Sequence, residues 1–244
     1  MADYDHIPNA DAEHSIVNTM LNYYFRHRHF KNTTQKDAIF NIMKRESDVI
    51  VSLPKGHGRT LCFQFPIVIC QQKVSIVFVG LSSRMQIARL NRREVHVEII
   101  DARTSLEEFD NIKNSINDLS YITSSLNSML YVTTDVVPSV NFLNLFHYLI
   151  ERNSIGYIVV DTSYCENDWI SGQTDKYYAL RRLRNTYLHI PWIVTTQKAS
   201  YEIASCITST LCLRTQRPDT LGDSIPWFTM NIEDDDDDDE LVDR

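Results

Sequence analysis

Val49-Ile-Val-Ser-Leu-Pro-Lys-Gly-His-Gly-Arg-Thr60 is the stretch on which the architecture turns. Val49 to Leu53 is a short apolar, β-branched run of the kind that forms a strand buried on both faces. A turn with two glycines follows, and Thr60 opens a helical pattern. Strand, glycine-bearing turn and helix start together make the layout of a phosphate-cradling loop. Gly56 and Gly58 allow backbone N–H groups to close around phosphate oxygens, with Lys55 and His57 set among them. The next helix points its positive end at the same place, and the hydroxyl of Thr60 is of the kind that ligates magnesium. The strict pattern G-x-x-x-x-G-K-[ST] wants glycine at Leu53 and lysine at Arg59, so the segment alone also reads as an ordinary strand-to-helix turn with a capping hydroxyl.

Working outward, similar runs recur at Ile76–Val79, Val95–Ile100, Met129–Val132, Tyr157–Val160 and Trp192–Thr195. Between them lie helical stripes: Ile39, Ile42 and Met43; Leu143, Phe146, Tyr148 and Leu149; and Tyr177, Leu180, Leu183 and Tyr187. Thr34 with Asp37 three residues on predicts a capping-box start for the first helix. Strand and helix alternating in this way predict an α/β fold, a doubly wound parallel sheet with helices on both faces. Its ligand site lies at the carboxyl ends of the strands, after Leu53, Val79, Val132, Val160 and Thr195. Residues 1–14 are expected to be flexible, 15–218 to form the lobe, and 219–244 to form a disordered acidic tail anchored only by Trp227 and Phe228.

The net charge of -8 belongs to that tail: Glu233 to Glu240 is acidic throughout, and the rest of the chain has 24 acidic against 24 basic residues. Such a run repels itself. It is either a solubiliser, a ligand for a basic partner, or a mask over a basic surface of its own lobe. The five cysteines form no C-x-x-C pair, which predicts neither a zinc site nor a disulfide framework. The start of the chain has no apolar targeting region, and no apolar run approaches a membrane span, so a soluble intracellular protein is expected, with no membrane partner.

The segment Leu53-Pro-Lys-Gly-His-Gly-Arg-Thr-Leu-Cys-Phe-Gln-Phe-Pro66 resembles the M-P-T-G-x-G-K-S-L-C-Y-Q-L-P stretch of the RecQ family of DNA helicases. Upstream, Phe25, Phe30, Lys31, Gln35 and Ala38 fall on the family's adenine-recognition motif. Downstream, Tyr131 to Asp135 is similar to Y-x-T-P-E, and Val159 to Cys165 with Trp169 is similar to V-V-D-E-A-H-C and its following tryptophan. Pro191 to Ser200 falls on P-x-x-A-L-T-A-T-A-T and keeps Thr196 and Ala199. The resemblance spans roughly residues 16 to 213 and implies the first RecA-like lobe of a P-loop NTPase. It further implies ATP held by Lys31, Gln35 and the loop from Lys55 to Thr60, and Mg2+ held by Thr60 and Asp161. DNA would lie near Trp169 and Tyr177, and the setting would be nuclear recombination or repair. For Trp169 and Tyr177 aromatic packing is the competing reading, as a strand-end carboxylate is for Asp161 and an exposed helix residue for Gln35.

Departures from the pattern shape the expected activity. A family member would be an ATP-dependent 3'-5' DNA helicase. Arg59 keeps the charge of the loop lysine but is longer and planar, which weakens the fit to phosphate. Thr162 stands where the glutamate that activates water belongs, and it cannot act as a base. Tyr164, Gln197 and Lys198 also differ from the family residues, as does the loop from Ser171 to Lys176. The second lobe, source of the arginine finger, would follow where this chain ends, so a protein partner supplying it is implied and no unwinding is expected from this chain alone. Impaired or absent hydrolysis is therefore the reading, with a pseudo-helicase adaptor as the alternative. Arg181, Arg182 and Arg184 are expected on a solvated helix face, while Arg26, Arg28 and Lys31, interleaved with His27 and His29, form a denser basic patch.

Overall fold

The computed structural model describes residues 10–69, 73–79, 95–122, 127–162, 177–197, 200–214 and 225–230. Among these, β1 (Val49–Ser52), β2 (Lys73–Val79), β3 (His96–Ile100), β4 (Asn127–Thr133), β5 (Ile155–Asp161), β6 (Trp192–Thr196) and β7 (Trp227–Thr229) form one sheet. Their order is β3-β4-β2-β5-β6-β1-β7, and all neighbours pair in parallel. The helices are α1 (Ala10–Phe25), α2 (Thr33–Lys44), α3 (Arg59–Ile69), α4 (Leu106–Ile122), α5 (Val140–Glu151), α6 (Tyr178–Thr186) and α7 (Tyr201–Leu211).

Side chains on a strand alternate between faces, so a strand that is apolar throughout feeds two cores. In β2, Ile76 and Phe78 join α5, α6 and α7 on one side, while Val77 and Val79 join α1, α2 and α3 on the other. In β5, Ile158 and Val160 divide from Tyr157 and Val159 in the same way. The doubly wound parallel α/β sheet expected from the sequence is the observed fold. None of the described helices is long and apolar enough to cross a membrane.

Four local expectations differ from the structure. Helix α1 begins at Ala10, inside the stretch expected to be flexible; its packing stripe of Val17, Leu21 and Phe25 holds the helix on the core. The N-cap of α2 is Asn32, whose side chain accepts from the N–H of Gln35 at 2.7 Å, so the helix starts earlier than the Thr34–Asp37 box predicts. Asn32 places its oxygen over the first turn's free N–H groups. The third difference is β7, which lies within residues 219–244. Ile50 N–H donates to Pro226 O at 3.0 Å, and Trp227, Phe228 and Thr229 pair with Ile50, Val51 and Ser52. A sheet edge left at β1 offers unpaired backbone groups, and this segment satisfies them. Residues 1–9 and the acidic run lie outside the described residues.

The fourth concerns Arg184, which is fully buried. Its spacing of four from Leu180 puts it on the apolar stripe of α6, whatever its residue type. There its Nη2 meets Asp48 Oδ2 at 2.8 Å, and Nη1 donates to the carbonyl of Leu188 at 3.0 Å. Asp48, also fully buried, accepts from Trp192 N–H at 2.8 Å and Arg214 N–H at 2.7 Å. Burial pushes the Asp48 carboxyl up against the opposing pull of Arg184 and these two N–H groups. The pair ties the entrances of β1 and β6 to the exit of α7, at the sheet edge opposite the glycine loop.

Candidate functional site

β1 delivers the chain to the carboxyl edge of the sheet, where Leu53 N–H donates to Thr196 O at 3.1 Å and the backbone turns away. His57 N–H donates to Pro54 O at 3.2 Å to close the turn, and α3 begins at Arg59. Gly56 and Gly58 have φ of 85° and 83°, in the left-handed region that glycine enters without steric cost. Gly58 is required for a second reason, since a Cβ there would sit 2.0 Å from Gln35 Nε2.

That contact joins the two halves of the site. Gln35 is buried and uses both ends of its amide: Oε1 accepts from Lys31 N–H at 2.7 Å, and Nε2 donates to Gly58 O at 2.9 Å. The ammonium of Lys31 donates to Gly56 O. Lys31, Gln35, Gly56 and Gly58, separated by up to 27 positions in sequence, are thereby one constellation, and Gln35 is no exposed helix residue. Lys55 and Gly56 are exposed and His57 and Thr60 half-buried, so the outer rim of the loop faces solvent. A cleft of about 480 Å³ lined by Val17, Asn18, His29, Phe30 and Lys36 lies beside the start of α2.

Arg59 folds back across the loop, and its Nη1 donates to Leu53 O at 2.8 Å. Behind it, Cys62 is buried and its thiol is pushed up to about 12 by burial, which outweighs the lowering influence of Arg59. Asp161 ends β5, is buried, and accepts from Thr195 Oγ at 3.1 Å. Thr60 and Asp161 offer a hydroxyl and a carboxylate, the hard oxygen donors that suit magnesium. The hydroxyl of Thr162 donates to Thr195 O at 2.9 Å, so this side chain is turned onto β6. Among the described residues there is no cluster of three or more His, Cys, Asp or Glu arranged to hold a metal ion.

Two features of this edge go beyond what the motif-like stretches Tyr131 to Asp135 and Pro191 to Ser200 convey. The hydroxyls of Thr133 and Thr196, at the ends of β4 and β6, are buried and have no hydrogen-bond partner among the described residues. Behind the loop helix, Gln64 Nε2 donates to Tyr131 Oη at 3.0 Å, and burial raises the Tyr131 hydroxyl well above the ordinary tyrosine range. Both threonines fall on stretches singled out by motif resemblance, but their burial at strand ends is set by the fold. Tyr177 is corrected as a candidate for DNA contact: it is 2 % exposed and sits in the core with Leu180 and Trp192. It is the N-cap residue of α6, three positions before Leu180, and packs into the same core. Trp169, Tyr164, Lys198 and Ala199 lie outside the described residues.

No family model matches the chain. Among curated proteins it is 27 % identical over 206 residues to ATP-dependent DNA helicase Q5 of Rattus norvegicus, covering 84 % of this chain and 21 % of that protein. It is 23 % identical over 168 residues to ATP-dependent DNA helicase RecQ of Haemophilus influenzae, covering 68 % and 25 %. The chain thus spans about a fifth to a quarter of the length of these relatives. Among solved structures it superposes with a TM-score of 0.58 on the DUF1998 helicase MrfA bound to DNA and AMPPNP, at 14 % identity over 81 % of this chain and 28 % of that one. A hypothetical ATP-dependent RNA helicase from Sulfolobus tokodaii gives 0.52 at 14 % identity, over 80 % and 55 %. Similarity along most of the chain and a shared fold make this protein a homologue of the RecQ-family helicases, with the fold of a helicase RecA-like domain.

Proposed function

We propose that this chain is a nucleotide- and DNA-binding lobe of RecQ-helicase descent, acting in recombination or repair of nuclear DNA, that holds ATP with Mg2+ and hydrolyses it slowly or not at all. The observation that carries the binding half is the Gln35–Gly58 contact. A buried amide fixed between Lys31 N–H and Gly58 O sets the adenine-side motif and the phosphate-side loop in a single geometry. Lys31, Lys55, His57 and the loop N–H groups then face the phosphates, and Thr60 with Asp161 faces the metal. When bound, magnesium held by Thr60 and Asp161 would offset the charge of the phosphate oxygens.

The hydrolysis half rests on Thr162, whose hydroxyl is held by Thr195 O. A threonine so placed has no carboxylate to orient water, and loss of a general base costs about 10²- to 10⁴-fold in rate. Arg59 favours a second reading, the pseudo-helicase adaptor, because its guanidinium is turned back onto the chain, with Nη1 donating to Leu53 O.

Titration of the purified chain with a fluorescent ATP analogue, with and without magnesium, separates the two, followed by DNA-stimulated phosphate release. Saturable, magnesium-dependent binding without release supports the inert nucleotide binder. Absence of binding, even after Arg59→Lys, removes the nucleotide reading and leaves the adaptor.

A further inference from the structure

We infer that the basic surface around the glycine loop is the docking site of the chain's own acidic run, Glu233 to Glu240, which competes there with nucleotide phosphates. This inference rests on the proposed function, in which the loop is an anion cradle.

The register of β7 brings the two together. β7 runs parallel to β1 with Thr229 opposite Ser52, so the chain leaves β7 at the same sheet edge where β1 runs into the loop. An antiparallel β7 would have sent the residues after it to the far edge, beside Asp48. Phe228 and Met230 pack against the core that contains Leu53, Phe63 and Phe65, which anchors this exit. Glu233 comes three residues after Met230 and Glu240 ten residues after it. At roughly 3.3–3.6 Å per extended residue, the acidic run begins within about 10 Å of the exit and reaches out to about 35 Å.

The receiving surface carries complementary charge. Arg26, Arg28, Lys31 and Lys55 are exposed, Arg59 is half-buried, and His27, His29 and His57 are interspersed. None of the five lysines and arginines has a carboxylate ion-pair partner among the described residues. Helix α2 adds Lys36 and one opposing carboxylate, Asp37. Eight tethered carboxylates confront this surface at an effective concentration in the millimolar range, and their attraction acts over a Debye length of about 10 Å at 0.1 M salt. Carboxylates also accept from backbone N–H groups at glycine turns and helix starts, as phosphates do.

The test uses the 244-residue chain and a variant of the same length with Glu233→Gln, Glu240→Gln and Asp234→Asn through Asp239→Asn. Zero-length carbodiimide coupling followed by peptide mapping reads contact without any nucleotide. Intramolecular links from the acidic run to Lys31, Lys36 or Lys55 are expected at low salt, and they should disappear at about 0.5 M salt, where screening is short-ranged. Titration with a fluorescent ATP analogue reads competition: the variant should bind roughly tenfold more tightly at low salt, with the difference lost at high salt. Links spread evenly over all lysines, links that form only between chains as concentration rises, or nucleotide binding unchanged by the variant would each overturn the inference. If the links form as expected but neither protein binds nucleotide, the proposed function fails while the docking of the tail stands.

Discussion

At the scale of single residues, Gly58 has the least freedom to vary. Gly58→Ala puts a Cβ onto the amide of Gln35 at a φ of 83°. Thermal unfolding of this variant is expected to show a loss of about 1–3 kcal/mol from backbone strain, with weaker nucleotide binding as Gln35 is displaced. Gly56 has the same sign of φ but open space around it, so Gly56→Ala should carry the backbone strain alone. Cys62 yields a chemical prediction. Its thiol is raised to about 12, so only about one part in ten thousand is thiolate at pH 8. Iodoacetamide labelling of the native chain at that pH should leave Cys62 unmodified and label it only in urea. Fast labelling of Cys62 in the native state would mean that α3 opens readily. Both residues sit between Leu53 and Pro66, but the sequence shows only their types; that Gly58 lies against Gln35, 23 positions away, is known only from the fold.

Single elements show where sequence periodicity is a sound guide and where local chemistry competes with it. Six strands fall where apolar runs place them; β1, β5 and β6 are buried along their whole length, while the edge strand β3 is buried only in part. Helix starts are less legible: Asn32 caps α2 although the Thr34–Asp37 pair fits a capping box. Asn32→Ala should cost about 1 kcal/mol in a chemical denaturation series, and Asn32→Asp should restore most of it. Since the cap fixes the turn that bears Gln35, the alanine variant should also weaken nucleotide binding. A full loss of stability with unchanged binding would separate the cap from the site. β7 is hidden in the sequence for a different reason. A strand of three residues has too little pattern to stand out, and it forms because the edge of β1 is there to receive it.

For the whole molecule, the Asp48–Arg184 pair is the largest structural fact that the residue types conceal. It joins β1, α6, β6 and the exit of α7 across 136 positions of sequence. Removing one partner leaves the other charge buried, so Arg184→Met or Asp48→Asn should each destabilise by about 3–5 kcal/mol in urea unfolding. The double variant should lose less than the sum of the two, since neither charge is then left alone. Additive losses would show that the two groups act separately. The pair lies at the sheet edge away from the glycine loop, so variants that remain folded should keep nucleotide affinity unchanged.

The sequence by itself determined the parallel α/β sheet and the edge at which the glycine loop lies. These follow from hydrophobic period and from the spacing of glycines, both local properties of the chain. Tertiary structure alone decided that Gln35 locks onto Gly58, that Arg59 turns back to Leu53 and that Thr162 faces Thr195. It alone showed that Arg184 is interior and that β7 carries the chain back to the loop. Each of these is set by which strands and helices become neighbours in space, and a residue's burial and hydrogen-bond partners depend on those neighbours more than on its own type.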